Sequence, residues 1–308
     1  MFRKIVLLVA SISIAIGAGL WWLGSSSSEQ ESRIDGKPLP DVASGPTLLT
    51  WNLQWFPGNK QKATEAAEES QIASVARELL KADAEIVCLQ ELKGSKGSDA
   101  IERLLAVLPE YRLQMMSEFR GTQEIAIISK IDAHTAFAEQ FEKAEATPPR
   151  GFVHASFDFD GHRLLVYSVH LKSNYGGVQA NIPKREEAAR QLLKHVALTK
   201  VSHLEEGAKS VSVILAGDFN TSLRADQFSD ETTARLFLEA GYDWGFRGIP
   251  ESKTITWLSD GRYPDAVFDH FFCLSGESVI CGRSTTLPTD RKMSDHRPVV
   301  MRIGFPKE

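Results

Sequence analysis

The sequence predicts an α/β or α+β domain with substantial β-sheets, carried behind an N-terminal hydrophobic segment and a polar linker. Three observations lead there. Ten strand-like runs and at least three helical runs share about 260 residues. Residues 1 to 46 differ in composition from everything that follows. The chain as a whole, 43 % hydrophobic and 24 % charged, is of ordinary globular type with ample material for a core. Its 308 residues allow one large or two modest domains.

The N-terminal segment comes first. After Arg3 and Lys4, Ile5 to Leu23 is a run of 19 residues without a charge, near the ~20 needed to span a bilayer. Trp21 and Trp22 close it where an interfacial aromatic belt would sit, and the preceding cations predict a cytoplasmic N-terminus and an exported remainder. The expectation is a retained inner-membrane anchor over residues 5–23, with the domain on the periplasmic or extracellular face. A cleaved signal peptide is the alternative, because Ala15, Gly17, Ala18 and Gly19 are small; no A-x-A site and no lipid-attachment Cys is seen. "GSSSSEQESRIDGKPLPDVASGP" then reads as a flexible tether over residues 25–46. The division is therefore an anchor or signal at 1–24, a linker at 25–46 and a domain at 47–308.

Charges balance within residues 1 to 46, so the domain carries the whole net charge of −5. No global basic field attracts a polyanion, which leaves only a local basic groove for nucleic acid. Export permits disulfides. Cys88, in the apolar run "EIVCLQE", reads as a buried free thiol. Cys273 and Cys281 flank "LSGESVI", a candidate hairpin; their pairing is open, because Cα separation decides it.

Strand-like runs are "TLLTWNL", "EIVCLQE", "YRLQMMS", "QEIAIIS", "GFVHASFDF", "HRLLVYSVH", "SVSVILAGD", "KTITWL", "AVFDHFFCL" and "RPVVMRI". Asp160-Gly161 marks a hairpin turn. Ile72, Val75, Ala76 and Leu79 recur at helical spacing. Ser98 is placed to cap a helix bearing Ile101, Leu104, Leu105 and Leu108, and "PKREEAARQLLKHVALTKV" is a further helix with Pro183 near its start. Neither a P-loop nor a G-x-G-x-x-G fingerprint is present.

The chemistry sits at strand ends. Asn52 ends "LLTWN", Glu91 ends "IVCLQE", His170 ends "LLVYSVH", and Asp218 and Asn220 end "VILAGDFN". Asp269 and His270 interrupt "VFDHFF", and Asp295 and His296 precede "RPVVM". Taken singly, an Asp or Glu after a strand is ordinarily a turn or cap, and a strand-end His a satisfied polar group. A charge set against apolar strands is costly unless paired or coordinated, and its repetition predicts one polar site at converging strand ends. The oxygen-rich set suits Mg²⁺, Mn²⁺ or Ca²⁺, and no zinc spacing appears. Metal-assisted attack on a phosphorus ester uses such a set: the cation neutralises phosphoryl oxygens, a carboxylate activates water, and histidines stabilise charge or supply protons.

From about Leu48 to Ile303 the chain resembles the endonuclease/exonuclease/phosphatase superfamily, the deoxyribonuclease I-like enzymes. The resemblance rests on "WNLQW", "LQE", "IAIIS", "SVHLKS", "GDFN", "TW" with "FDHFF", and "SDHRPV" in one order. It implies a four-layer sandwich of two packed mixed β-sheets with helices outside. It also implies roles: Glu91 as Mg²⁺ ligand with Asn52 and Asp295 completing or supporting the shell; Asp218 orienting or deprotonating the attacking water; Asn220 holding phosphate or fixing Asp218. His296 would contact the scissile phosphate, polarised by Asp269, and His170 would be a second acid/base or phosphate-binding group. Arg150 is a candidate phosphate ligand beside a surface-loop reading, and Trp257 a candidate stacking residue beside a core reading. The sequence departs from the pattern at Gln123-Glu124, where many relatives have Gly or Asn, and Glu124 would add negative charge beside the site.

These features predict a metal-dependent phosphodiesterase or nuclease. The alternative is a phosphatase or phospholipase-type enzyme on a lipid headgroup, inositol phosphate or other small ester, because motifs fix the chemistry and not the leaving group. A non-catalytic module is disfavoured, since none of the expected groups is missing. A phosphate-ester substrate, a membrane contact through the N-terminal segment and a monomeric state are expected.

Overall fold

The structure, a computed structural model, describes residues 27–94, 99–119, 121, 123–276 and 279–305. The expected anchor at 5–23 and the capping role of Ser98 lie outside these residues. Among the described residues no helix is long and apolar enough to cross a membrane.

In chain order the elements are α1 (Ser27–Asp35), β1 (Thr47–Phe56), α2 (Glu65–Ala82), β2 (Ile86–Lys93), α3 (Ala100–Ala106), β3 (Arg112–Met116), β4 (Gln123–Ser129), β5 (Thr135–Gln140), β6 (Gly151–Phe159), β7 (His162–His170), α4 (Val178–Glu205), β8 (Ser210–Asp218), α5 (Thr233–Glu239), β9 (Asp243–Trp244), β10 (Asp269–Leu274), β11 (Ile280–Thr286) and β12 (Val299–Gly304). They form two six-stranded mixed sheets, ordered β11-β12-β1-β2-β4-β3 and β5-β6-β7-β8-β10-β9. Each sheet has one parallel pair at its centre, β1 with β2 and β7 with β8. The remaining pairings are antiparallel.

Alternation along the strands builds the layers. Leu48, Ile86, Cys88 and Ile127 face the second sheet, in one core with Val166, Ile214, and Ala189 and Leu192 of α4. Their neighbours Leu49, Trp51, Val87 and Leu89 face the opposite way, onto Ile72, Val75 and Leu79 of α2 and Ile101 and Leu104 of α3. The result is helix, sheet, sheet, helix, the predicted four-layer sandwich. Thr64 caps α2, its hydroxyl accepting from the Ala67 N–H, and Asp83 ends it in left-handed conformation. The hairpin at Asp160-Gly161 is present, both residues having positive φ (56° and 85°), as a two-residue turn requires.

Three local expectations give way. "LSGESVI" is not a hairpin: β10 and β11 belong to different sheets. Cys273 and Cys281 are bonded, with Cα atoms 6.2 Å apart, so the disulfide staples one sheet to the other. "KTITWL" is not a strand; Trp257 makes isolated bridges to Ala266 and His296. The tether also differs in its described part. Ile34 and Leu39 are buried in the main core, Arg224 holds the Asp35 carboxylate and the Ile34 carbonyl, and Arg283 N–H donates to the Pro40 carbonyl. Two apolar residues in a polar stretch suffice to seat it on the domain.

Candidate active site

Along each central parallel strand the inward face turns polar towards one end. In β1 the series is Leu48, Thr50, Asn52; in β2, Ile86, Cys88, Gln90; in β7, Val166, Ser168, His170; in β8, Ile214, Ala216, Asp218. Gln90 joins the two sheets, donating to Ser168 Oγ at 3.0 Å and to Thr50 Oγ1 at 3.2 Å. Period-two alternation alone would aim Gln90 and not Glu91 into the site. A bulge corrects this: the β2–β4 register slips between Gln90 and Leu92, and Glu91 stands at φ 61°. The extra residue re-aims its carboxylate. A left-handed conformation at a non-glycine residue costs about 1–3 kcal/mol and persists where the surroundings enforce it.

The two sheets meet through side chains. From the first sheet, Asn52 Nδ2 donates to Glu91 Oε1 at 3.1 Å and crosses to Asp218 Oδ2 of the second at 2.9 Å. Asp218 Oδ1 accepts the Asn220 N–H at 2.9 Å. Asn220 itself lies beyond the strand at φ 53°, so a turn, and not the extended i/i+2 relation, brings it to the site; Phe219 does turn into the core. His170 Nε2 stands 3.7 Å from Glu91 Oε1 and 3.6 Å from Asp218 Oδ2. His296, just before β12, bonds Asp269 Oδ2 through Nδ1 at 2.7 Å, and its Nε2 lies 3.9 Å from Asp218 Oδ2. Thr256 Oγ1 accepts the Asp269 N–H at 3.0 Å, and Ser294 Oγ accepts the His296 N–H at 3.0 Å while donating to the Asn52 carbonyl. Asn52, His170, Asp218, Asn220, Asp269 and His296 are all buried.

Burial sets the charge states. It raises Glu91 above the usual carboxylate range and Asp218 to about 7, outweighing the lowering by the His296 charge. Burial would lower His296, but the anions of Asp269 and Asp218 hold it well above an ordinary imidazole. His170, beside Arg150 and without a partner for its Nδ1, is driven well below by burial and stays neutral.

These groups lie at or under the floor of a cleft of about 880 Å³. Asp295 and Trp257 form one wall, the indole N–H donating to Asp295 Oδ2 at 3.2 Å and the ring packing on Phe268. Arg150 lies behind the floor. Its guanidinium bonds Gln123 Oε1 at 2.9 Å and the carbonyls of His170 and Leu171. Gln123 relays that contact, donating to Glu91 Oε2 at 2.6 Å. Glu124 faces away from the site, satisfied by the Ser117 hydroxyl and the Phe119 N–H. In the sequence Gln123 stands out only as a departure from the family pattern, and Gln54, whose Oε1 accepts the Asp295 N–H at 3.2 Å, does not stand out at all. Alternation in "QEIAIIS" was the one signal for the direction of Gln123, whose face is opposite to that of Glu124.

Among the described residues two sets of three bring metal-ligand atoms within 4.8 Å of one another: Asp218, Asp269 and His296 in the cleft, and His134, His203 and Glu206 elsewhere. The first set shares its floor with Glu91, which accepts three hydrogen bonds, from Asn52, Trp55 N–H and Gln123. The cleft thus holds an acid, a near-neutral carboxylate and oxygen donors in one place, an arrangement suited to hydrolysis at phosphorus.

Known structures share this architecture. D. rerio TDP2 complexed with single strand DNA product matches at 20 % identity and TM-score 0.61, over 85 % of this chain and 99 % of that one. The human Nocturnin catalytic domain matches at 17 % and 0.62, over 86 % and 96 %. A mannosyl-6-phosphatase of Bacteroides thetaiotaomicron matches at 17 % and 0.58, over 84 % and 100 %. At these identities the likeness is one of fold. No curated protein sequence matches. The Endonuclease/Exonuclease/phosphatase family profile matches residues 49–296, from the third residue of β1 to the histidine paired with Asp269. The chain belongs to the endonuclease/exonuclease/phosphatase family of metal-dependent phosphoesterases.

Proposed function

We propose that this chain is a Mg²⁺-dependent phosphodiesterase acting on nucleic acid. The observation that carries the chemistry is the line Asp269, His296, Asp218, spaced 2.7 and 3.9 Å across the seam between the sheets. Asp218, with a pKa of about 7, accepts a proton from the attacking water. Asn52 and the Asn220 N–H fix its two oxygens. Protonated His296, oriented by Asp269, presents Nε2 to a phosphoryl oxygen. Neutral His170 borders both carboxylates and serves as a further hydrogen-bonding group to phosphate.

The donor set fits a hard divalent cation. Glu91 and Asp218 are carboxylates pushed up by burial, the condition a cation relieves, and Asp269 Oδ1 is buried without a hydrogen-bond partner. Glu91 would hold Mg²⁺, with Asn52 and Asp295 completing or supporting its shell. When bound, the ion neutralises charge on the phosphoryl oxygens.

The fold neighbour complexed with single strand DNA product supports nucleic acid. The net charge of −5 favours the second reading, a phosphatase on a small ester. Export and membrane anchoring through residues 5–23 are part of the proposal, supported by the uncharged run behind Arg3 and Lys4. Supercoiled plasmid with Mg²⁺ tests the first reading. Nicking that EDTA and Asp218→Ala both abolish is expected. Absence of nicking by folded, Mg²⁺-binding protein would transfer the assignment to small or lipid phosphoesters.

A further inference from the structure

Two large aromatic side chains stand out on the surface. Among the described residues Tyr175 (89 % exposed) and Tyr263 (65 %) are the only aromatics that are largely exposed, and both line the catalytic cleft. They arrive from different loops, one between β7 and α4, the other between Trp257 and β10. An exposed aromatic ring forgoes the apolar burial that otherwise makes such residues core-forming. Two on one cleft mark a surface that a ligand completes.

The loops beneath the rings are built. Buried Asn181 donates to the Tyr175 and Gly177 carbonyls, both at 2.9 Å. Arg185, fully buried and paired with Glu231, donates to the Lys172 carbonyl and to Asn174 Oδ1, both at 3.0 Å. In the second loop, buried Ser259 Oγ accepts the Gly261 and Tyr263 N–H groups at 3.1 Å, and Arg291 donates to the Ser259 carbonyl. Gly177 and Gly261 adopt φ 110° and 96°, turns that side-chain-bearing residues resist. The backbone is thus fixed while the phenol rings stay in solvent. A pre-ordered platform spares a ligand most of the cost of ordering it.

Net charge narrows the ligand. A domain at −5 lacks the global basic field that drives duplex binding through phosphates. Stacking on unpaired bases needs no such field, because every base offers a π-face. Arg291 lines the same cleft and supplies a local cation for a backbone, beside Arg262, whose guanidinium is paired with Asp260 at 2.6 Å. Its volume of about 880 Å³ exceeds what one phosphate fills.

We propose that Tyr175 and Tyr263 form a two-sided stacking clamp for unpaired bases flanking the scissile phosphate, making single-stranded nucleic acid the substrate class. This rests on the phosphodiesterase reading above. Binding is measured by anisotropy with fluorescein-labelled octathymidylate on the full chain carrying Asp218→Ala, and again on the parent chain in EDTA. An abasic octamer and mannose 6-phosphate serve as comparators. Tyr175→Ala and Tyr263→Ala are each expected to weaken the octathymidylate by about 5- to 150-fold, from ~1–3 kcal/mol per stacked base. Tyr→Phe at either position should stay within about twofold, and the abasic octamer should be indifferent to all four. Unchanged octathymidylate binding in the Ala variants, an equal loss for both octamers, or loss of mannose 6-phosphate competition instead would overturn the clamp. Hydrolysis of the octamer by the parent chain is followed separately. Cleavage with unaltered binding sinks the clamp alone; clamped binding without cleavage sinks the phosphodiesterase reading alone.

Discussion

Asp269→Asn removes the charge behind His296 and leaves the side-chain shape. The carboxylate lies 2.7 Å from His296 Nδ1 with both groups buried. Burial opposes the imidazolium, and Asp269 is the largest of the groups that overcome it. A hydrogen bond to a charged group contributes about 1.5–3 kcal/mol against about 1 for a neutral one, so losing the charge behind this bond tips His296 towards the neutral form near pH 7. A neutral ring no longer places positive charge on a phosphoryl oxygen. Loss of one pre-organised donor of this kind costs about 10²–10³-fold in kcat, ~2.7–4 kcal/mol. The fold loses about 1–3 kcal/mol, because the new amide donors meet the buried, partnerless position of Asp269 Oδ1. The assay is hydrolysis of bis(p-nitrophenyl) phosphate from about pH 5 to 9 at saturating Mg²⁺, with thermal unfolding in parallel. The fall in kcat should deepen on the alkaline side, where the variant's His296 has shed its proton. A kcat within about threefold of the parent, with the same pH profile, would refute the link from Asp269 through His296 to the reaction.

Other perturbations reach different parts of the molecule. Glu91→Gln should weaken Mg²⁺ and Mn²⁺ binding by at least about tenfold in calorimetry, an amide being a poor ligand for a hard cation; equal affinity would remove Glu91 from the metal site. Glu231→Gln leaves Arg185 buried with its two-pronged partner lost and should cost about 3–5 kcal/mol in urea unfolding; a change under about 1 kcal/mol would contradict the geometry. His154, buried with neither ring nitrogen bonded, is pushed by burial from 6.5 to about 3. The unfolded chain therefore binds its proton first, and stability falls as pH drops from about 6.5 towards 3, by roughly 2 kcal/mol at pH 5. His154→Leu should remove that part of the slope; identical slopes in urea titrations at pH 5 and 7 would refute it.

How far the sequence is legible depends on whether a signal is local. Asp218 and His170 end uninterrupted apolar runs, and regular alternation carries them to one face, opposite each other in register. Glu91 is legible as a strand-end acid but not in its direction, because a bulge aims it. Gln123 looks like any polar strand residue until Arg150 and Glu91 close on it from distant parts of the chain. Arg150 itself is visible beside β6, yet its partners are backbone carbonyls that no motif encodes. β5 ("TAFAEQ") and β11 ("ICGRSTT") escaped notice because they are sheet edges, where one-sided burial leaves a mixed polar pattern. The spacing of Cys273 and Cys281 fits a hairpin equally well, and only topology separates the two sheets they join.

The first sheet is assembled from two stretches of chain separated by the whole of the second. Thr47 pairs with Arg302, while residues 135–274 supply every strand of the other sheet. A chain made from its N-terminus therefore finishes one sheet while the other still waits for β12. His296 arrives three residues ahead of that strand. A partly made chain thus lacks both His296 and the strand that locks β1. On the proposed mechanism, fragments released early are chemically silent, and hydrolytic capacity appears together with architectural closure.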